Sequence, residues 1–184
     1  MNFLKGRAIL WLLIPITVIV AFLWDKTEVA APNFIQEKTN PDYFLINTES
    51  YDFNGEGLPE RRFTSAKTLH YIFKQETAME NPVLTIINSN NEQWKVTANR
   101  ATNKELSEEL LLTNGVSILI NDAGGASAEL TTDNLLIDLA SENASTESAI
   151  LLKSNLYQLT AIGMDADLKE NVIHFKSKVV SEEL

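Results

Sequence analysis

From Tyr43 to the end of the chain, apolar residues recur mostly at every second position, in short runs broken by Asn, Gly, Asp and Pro. Two residues is the period at which β-strand side chains change face, so this pattern restricts the region to sheet. Strands are expected at about Tyr43 to Asp52, Arg61 to Lys74, Val83 to Asn88, Gln93 to Ala98, Leu110 to Asn121, Ala128 to Ala140, Ser145 to Lys153, Tyr157 to Asp165 and Asn171 to Val180. The spacing is that of a meandering antiparallel sheet. Asn88 to Glu92 and Asp122 to Gly125 are the clearest turns, because Asn, Asp and Gly accept the positive φ that a hairpin requires. Pro82 is expected to start its strand, where a missing N–H does least harm. Thr102 to Leu112 has the composition of a helix, but its neighbours argue for a loop feeding a strand.

Parity then assigns the faces. Trp94, Val96 and Ala98 share one side of their strand, as do Val116, Ile118 and Ile120, Leu135, Ile137 and Leu139, and Ile173, Phe175 and Val179. The opposite sides carry Lys95, Thr97, Asn99, Ser117, Asn134, Asp138, His174, Lys176 and Lys178. One apolar and one wet side describe an all-β domain folded around a single core, as a sandwich, an open barrel or a jelly roll.

Ahead of the sheet, Ala8 to Trp24 carries no charge over 17 residues, which as a helix would reach ~26 Å. That length suits a single transmembrane helix, kinked at Pro15. Lys5 and Arg7 precede the run while Asp25 and Glu28 follow it, which orients residues 1–7 to the cytoplasm and the rest across the membrane. A cleaved leader is the competing reading. The length of the run, the charged stretch after it and the proline beyond Val29-Ala30-Ala31 favour the uncleaved anchor. Residues 25–41 show neither period and read as a tether, which leaves residues 42–184 for one domain.

Of 15 basic residues, Lys5 and Arg7 lie before the anchor, so 13 face 25 acidic residues beyond it, a net charge of −12. Nucleic acid is an unsuitable partner for such a surface. A polyanionic ligand would have to be gripped by its apolar part or by a local cluster such as Arg61-Arg62. The absence of cysteine removes disulfides and zinc-thiolate sites, so the core alone must supply stability.

No metalloprotease, nucleophile-elbow or phosphate-loop pattern occurs, and no cofactor or metal site is expected. His70 and His174 read as surface strand positions. Glu108-Glu109 and Glu182-Glu183 read as solvated, and Asp165 and Asp167 are too few ligands for a calcium loop. An enzyme is therefore not expected. An anchored sheet without catalytic residues can still bury an acyl chain between its layers or lend an edge strand to another protein. Lys176 and Lys178 could shield such an edge from pairing with itself.

Asn40-Pro41-Asp42-Tyr43, Asn81-Pro82-Val83-Leu84, Trp94-x-Val96-x-Ala98-x-x-Ala101, Leu112-x-x-Gly115-Val116 and Thr131-Thr132-Asp133-Asn134 follow one another behind the basic N-terminus and apolar helix. In this order and nearly end to end, the chain resembles the LptC family, the single-pass inner-membrane component of lipopolysaccharide export. The resemblance implies a twisted antiparallel β-jelly roll in the periplasm. It would dock on the inner-membrane LptB, LptF and LptG transporter, bind lipopolysaccharide and pass it to LptA. Carried onto this chain, lipid contacts fall on Thr48, Met79 and Ile173. The inward faces add Leu84, Ile86, Trp94, Val96, Ile118, Ile120, Leu135, Ile137 and Phe175. The first strand, with Tyr43, Leu45, Asn47, Tyr51 and Phe53, would meet the transporter. The last, with Ile173, His174, Phe175, Lys176, Lys178 and Val179, would meet LptA or, in the isolated domain, a second copy. The alternative open at this point is an anchored scaffold that recruits a periplasmic protein by strand pairing and binds no lipid.

Overall fold

The computed structural model describes residues 40–87, 93–121 and 127–184. The expected anchor at 8–24, all of the tether but its last two residues, and the turns at Asn88 to Glu92 and Asp122 to Gly125 lie outside them. Eleven antiparallel strands form one sheet. They are β1 (Tyr43–Phe53), β2 (Pro59–Tyr71), β3 (Glu76–Glu80), β4 (Val83–Ile87), β5 (Gln93–Thr97), β6 (Arg100–Lys104), β7 (Glu109–Asn121), β8 (Ser127–Asp138), β9 (Asn143–Ser154), β10 (Tyr157–Asp167) and β11 (Val172–Glu183). Two strands, β3 and β6, occupy stretches between expected strands. Thr102 to Leu112 is no helix: beyond the end of β6 it runs, as expected, through a turn into β7.

The pairing shows how one sheet encloses a core. Residues 61–64 of β2 pair with β4 and residues 67–71 of the same edge pair with β3. In β7, residues 110–113 pair with β6 and residues 117–121 with β5. The sheet therefore divides between β2 and β7 into two layers, one through β4 and β5, the other through β3 and β6. β1 continues both layers beyond β2, while β8 to β11 continue them beyond β7. Each long strand crosses from layer to layer at a bend near its middle.

Left-handed backbone marks that bend at Asn47, Asn114, Gly115, Gly163 and Lys178. Register slips of one residue occur there between β7 and β8, β8 and β9, β9 and β10, and β10 and β11. Bulges of this kind turn a strand at the expense of ladder hydrogen bonds. Ser65 and Thr132 supply replacements from the bend itself, and Thr68 and Thr146 are buried beside them, each with its hydroxyl bonded to a neighbouring side chain. Ser65 Oγ donates to the carbonyls of Lys67 and Glu80 at 2.8 and 3.0 Å, and Thr132 Oγ1 donates to that of Ala149 at 3.0 Å. Thr68 Oγ1 bonds Thr48 Oγ1, and Thr146 Oγ1 donates to Asn134 Oδ1. An unpaired buried carbonyl would cost about 1–3 kcal/mol, so hydroxyls belong on this line and aliphatic side chains elsewhere.

Between the layers lies one apolar core. Leu112, Ile118, Leu130, Leu135, Ile137 and Met164 are fully buried, with Phe63, Met79, Ile120, Ile173 and Phe175 packed at its margin.

Candidate functional site

Away from the bend, the space between the layers opens, among the described residues, at two mouths. The mouth near β1 has a volume of about 420 Å³ and takes Asp52, Arg61, Phe63 and Leu84 from one layer and Met79, Asn103, Ser107, Leu110 and Leu139 from the other. The mouth near β11 has about 540 Å³, with Trp94, Ile120, Ala128, Leu156 and Tyr157 facing Asn171 and Ile173. One side-chain hydrogen bond spans each. Arg61 Nη1 donates to the Leu139 carbonyl at the first, and Trp94 Nε1 donates to Asn171 Oδ1 at 2.8 Å at the second.

The expected lipid contacts divide between centre and margin. Leu84, Ile86, Trp94, Val96, Ile118, Leu135 and Ile137 are at most 3% exposed and pack the space shut. Met79 and Leu84 border the first mouth; Trp94, Ile120 and Ile173 border the second. Phe175 packs on the core margin, and Thr48 is spent on the bend. Strand alternation finds the inward residues but not the mouths, because which turns meet across the open side depends on the twist of both layers. Hence Phe63, Leu110 and Leu139 were not among the expected contacts.

Among the described residues, two strand edges are left without a neighbour. β1 pairs there only with β2, and its residues Tyr43, Phe44, Leu45, Ile46, Tyr51 and Phe53 are all about half exposed or more. Asn47 sits at the bend with φ 53° and gives this strand its turn. Among the described residues β11 pairs only with β10, with Val172, Val179 and Val180 exposed. Val179, expected on the inward side with Ile173 and Phe175, is turned out because the bend at Lys178 and its register slip break the alternation. Along β11, Ile173 and Phe175 turn inward and Lys176 outward, where its ammonium meets Glu147 Oε1 at 2.6 Å and Asp165 Oδ1 at 3.1 Å. Glu147 first and Asp165 second raise the pKa of Lys176, so this cation is engaged within the domain. His174 and Lys178 are exposed.

His70 departs from the surface position expected of it. Its side chain is 12% exposed, stacks on Tyr43 at 4.6 Å, and reaches Thr77 Oγ1 and Glu105 Oε1, both at 3.2 Å. It ties the start of β1 to the turn after β6. Asp167 caps the β10–β11 turn by accepting from the Lys169 and Glu170 amides. On the outer face the Glu49 carboxyl is lowered by the Tyr51 hydroxyl and then by Arg62, whose own pKa is raised by Glu49. Among the described residues no three His, Asp or Glu side chains converge where a metal ion could sit. The described residues thus supply apolar mouths and unpaired strand edges.

A family model described as LptC, lipopolysaccharide-assembly, LptC-related, matches residues 10–182. No curated protein sequence matches the chain. Among solved structures, the chain is similar to the crystal structure of LptH from Pseudomonas aeruginosa, described as the LptA-homologous periplasmic component of the conserved lipopolysaccharide transport device. The TM-score is 0.51 at 7% identity, covering 66% of this chain and 93% of that one. At that identity the likeness shows a shared fold.

Proposed function

The chain belongs to the LptC-related family of lipopolysaccharide-assembly proteins, and from that premise we propose that it is a non-catalytic relay for lipopolysaccharide. Residues 8–24 anchor it in the inner membrane and the sheet domain lies in the periplasm. The β1 edge docks on the membrane transporter, acyl chains travel through the space between the layers, and the β11 edge passes the lipid to LptA.

The observation that carries this reading is the arrangement of edges and mouths. Among the described residues one unpaired edge lies beside each mouth, and an apolar interior joins the two. An acyl chain gains roughly 0.8 kcal/mol for each CH₂ it buries, so a few chains supply the affinity without any attraction for the head. Photo-crosslinkers at Met79 and Ile173 are expected to label lipopolysaccharide in membranes, and one at outward-facing Lys95 is not. Labelling from Lys95 alone would sink the proposal.

The filled centre supports a second reading, an anchored scaffold with edge pairing and no lipid. Ile118→Asp cannot separate the two, because Ile118 is fully buried and a carboxylate there unfolds the domain under either reading. Met79→Asp, at the mouth, can. It should block lipid labelling in a folded relay and leave a scaffold unaffected.

A further inference from the structure

Strand alternation separates the arginine doublet of β2. Arg62 faces outward, 2.7 Å from Glu49 and over the Tyr51 ring. Arg61 faces the other way, into the mouth near β1, on the same side of the strand as Phe63, with a side chain only 22% exposed. It is the one cation lining that mouth among the described residues. Its Nε donates to Asp52 Oδ2 at 3.0 Å and its Nη1 to the Leu139 carbonyl. Beneath it lie Phe63, Met79, Leu84 and Leu110. A guanidinium offering two donors above an apolar floor matches an amphiphile with an anionic head and an aliphatic chain.

We propose that Arg61 reads the phosphate of an acylated ligand at the mouth near β1, exchanging the Leu139 carbonyl for a phosphate oxygen while the chain enters over Met79 and Leu84. This rests on the lipid-relay reading and adds to it the group that senses the head. Leu139 belongs to the turn between β8 and β9, in the layer opposite Arg61. The turn keeps its bonds within its own layer, from the Leu139 amide to the Glu108 carbonyl and from Ala140 and Ser141 to Asp138. Taking Nη1 from the Leu139 carbonyl therefore removes a link between the layers, and engaging the head loosens the mouth in the same event. The freed carbonyl lies at the rim, where water can replace the donor at little cost. Asp52 and Glu108, both exposed at the same mouth, keep the local field negative and hold the gain small, as suits a site that must let its ligand go. Arg62 faces away and has no part in this.

The test uses the full chain in amphipol, carrying ¹³C-methyl methionine and ¹⁵N, and titrated separately with octyl phosphate, octyl glucoside and inorganic phosphate. Met79 reports on the mouth, Met164 on the closed core, and Arg61 Nε on the head site. Octyl phosphate is expected to bind roughly tenfold tighter than octyl glucoside. Arg61→Met should abolish that preference but keep binding to octyl glucoside. Arg62→Met should preserve it, and Asp52→Asn, by removing the competing carboxylate, should widen it. Equal affinity for the two amphiphiles in the unsubstituted chain, or equal effects of Arg61→Met and Arg62→Met, overturns the assignment and leaves the lipid relay standing. Inorganic phosphate shifting Arg61 as strongly as octyl phosphate also overturns it, since the chain would then play no part. If neither amphiphile moves Met79 in folded protein, the lipid-relay reading itself fails. Should Arg61→Met not fold, Asp52→Asn decides: an unchanged or narrowed preference overturns the proposal.

Discussion

At the scale of single residues, the domain depends on a few polar contacts at places where a sheet is weakest. Trp94 is 1% exposed, and its indole N–H has Asn171 Oδ1 as acceptor. A buried donor left without a partner costs about 1–3 kcal/mol, so Asn171→Ala is expected to destabilise the domain by that order in denaturant melts. In a Trp94→Phe background the donor is gone, and the same substitution should cost clearly less. Equal costs in both backgrounds would show that Asn171 acts through the turn alone. Gly163 is a second such point. Its φ of +75° suits glycine, and a Cβ there would stand 2.9 Å from Lys176 Cδ. Gly163→Ala is expected to lower stability by about 1–2 kcal/mol from backbone strain. It should also move Lys176 away from Glu147 and Asp165, which amide exchange along β10 and β11 would register.

The elements differ in how much of them the core holds. The first half of β11 is structural, because Ile173 and Phe175 pack on the core and the preceding turn bears Asn171. Its second half, from Lys178 on, is exposed throughout. A chain ending at Ser177 is therefore expected to melt within a few degrees of the full chain, whereas one ending at Glu170 should lose most of its stability. If β11 is the edge offered to LptA, the shorter truncation should weaken capture of that partner while the fold persists. Unimpaired capture by a chain ending at Ser177 would assign the contact to residues 172–177 or elsewhere. The residues that the core holds and those that it leaves exposed thus occupy different halves of one strand.

For the whole molecule, function through the space between the layers requires that the layers move. The centre is closed by Leu112, Ile118, Leu135 and Ile137, all fully buried, and interiors of this density leave no room for an acyl chain. If the proposed relay is right, loading parts the two layers about the bend, where the register slips and left-handed residues lie. The chain has no cysteine, so Lys95→Cys and Lys104→Cys, outward on opposite layers, accept spin labels without background. Their separation is expected to lengthen on addition of lipopolysaccharide. An unchanged distance with lipid bound would locate the ligand on the outside.

The sequence by itself determined the sheet, most of its strands and the residues that face inward except Val179, beyond the bend of β11, because alternation is local and each strand carries its own record of it between bends. It also supplied the ordered motifs by which the chain resembles its family, and it marked Arg61-Arg62 as a local cluster within an acidic surface. It did not reveal β3, whose Glu76-Thr77-Ala78-Met79-Glu80 has little β-branched or aromatic content and is a strand because β2 and β6 flank it. His70 read as a surface residue for a similar reason: Tyr43, Thr77 and Glu105 come from three other parts of the chain to cover it. Only the tertiary structure decided which turns meet across the open side, that Arg61 faces Leu139 over an apolar floor, and that the inward residues close into a core with a mouth at each side. Those contacts join residues as many as 78 positions apart. They follow from the twist and bend of two layers, which no local pattern along the chain records.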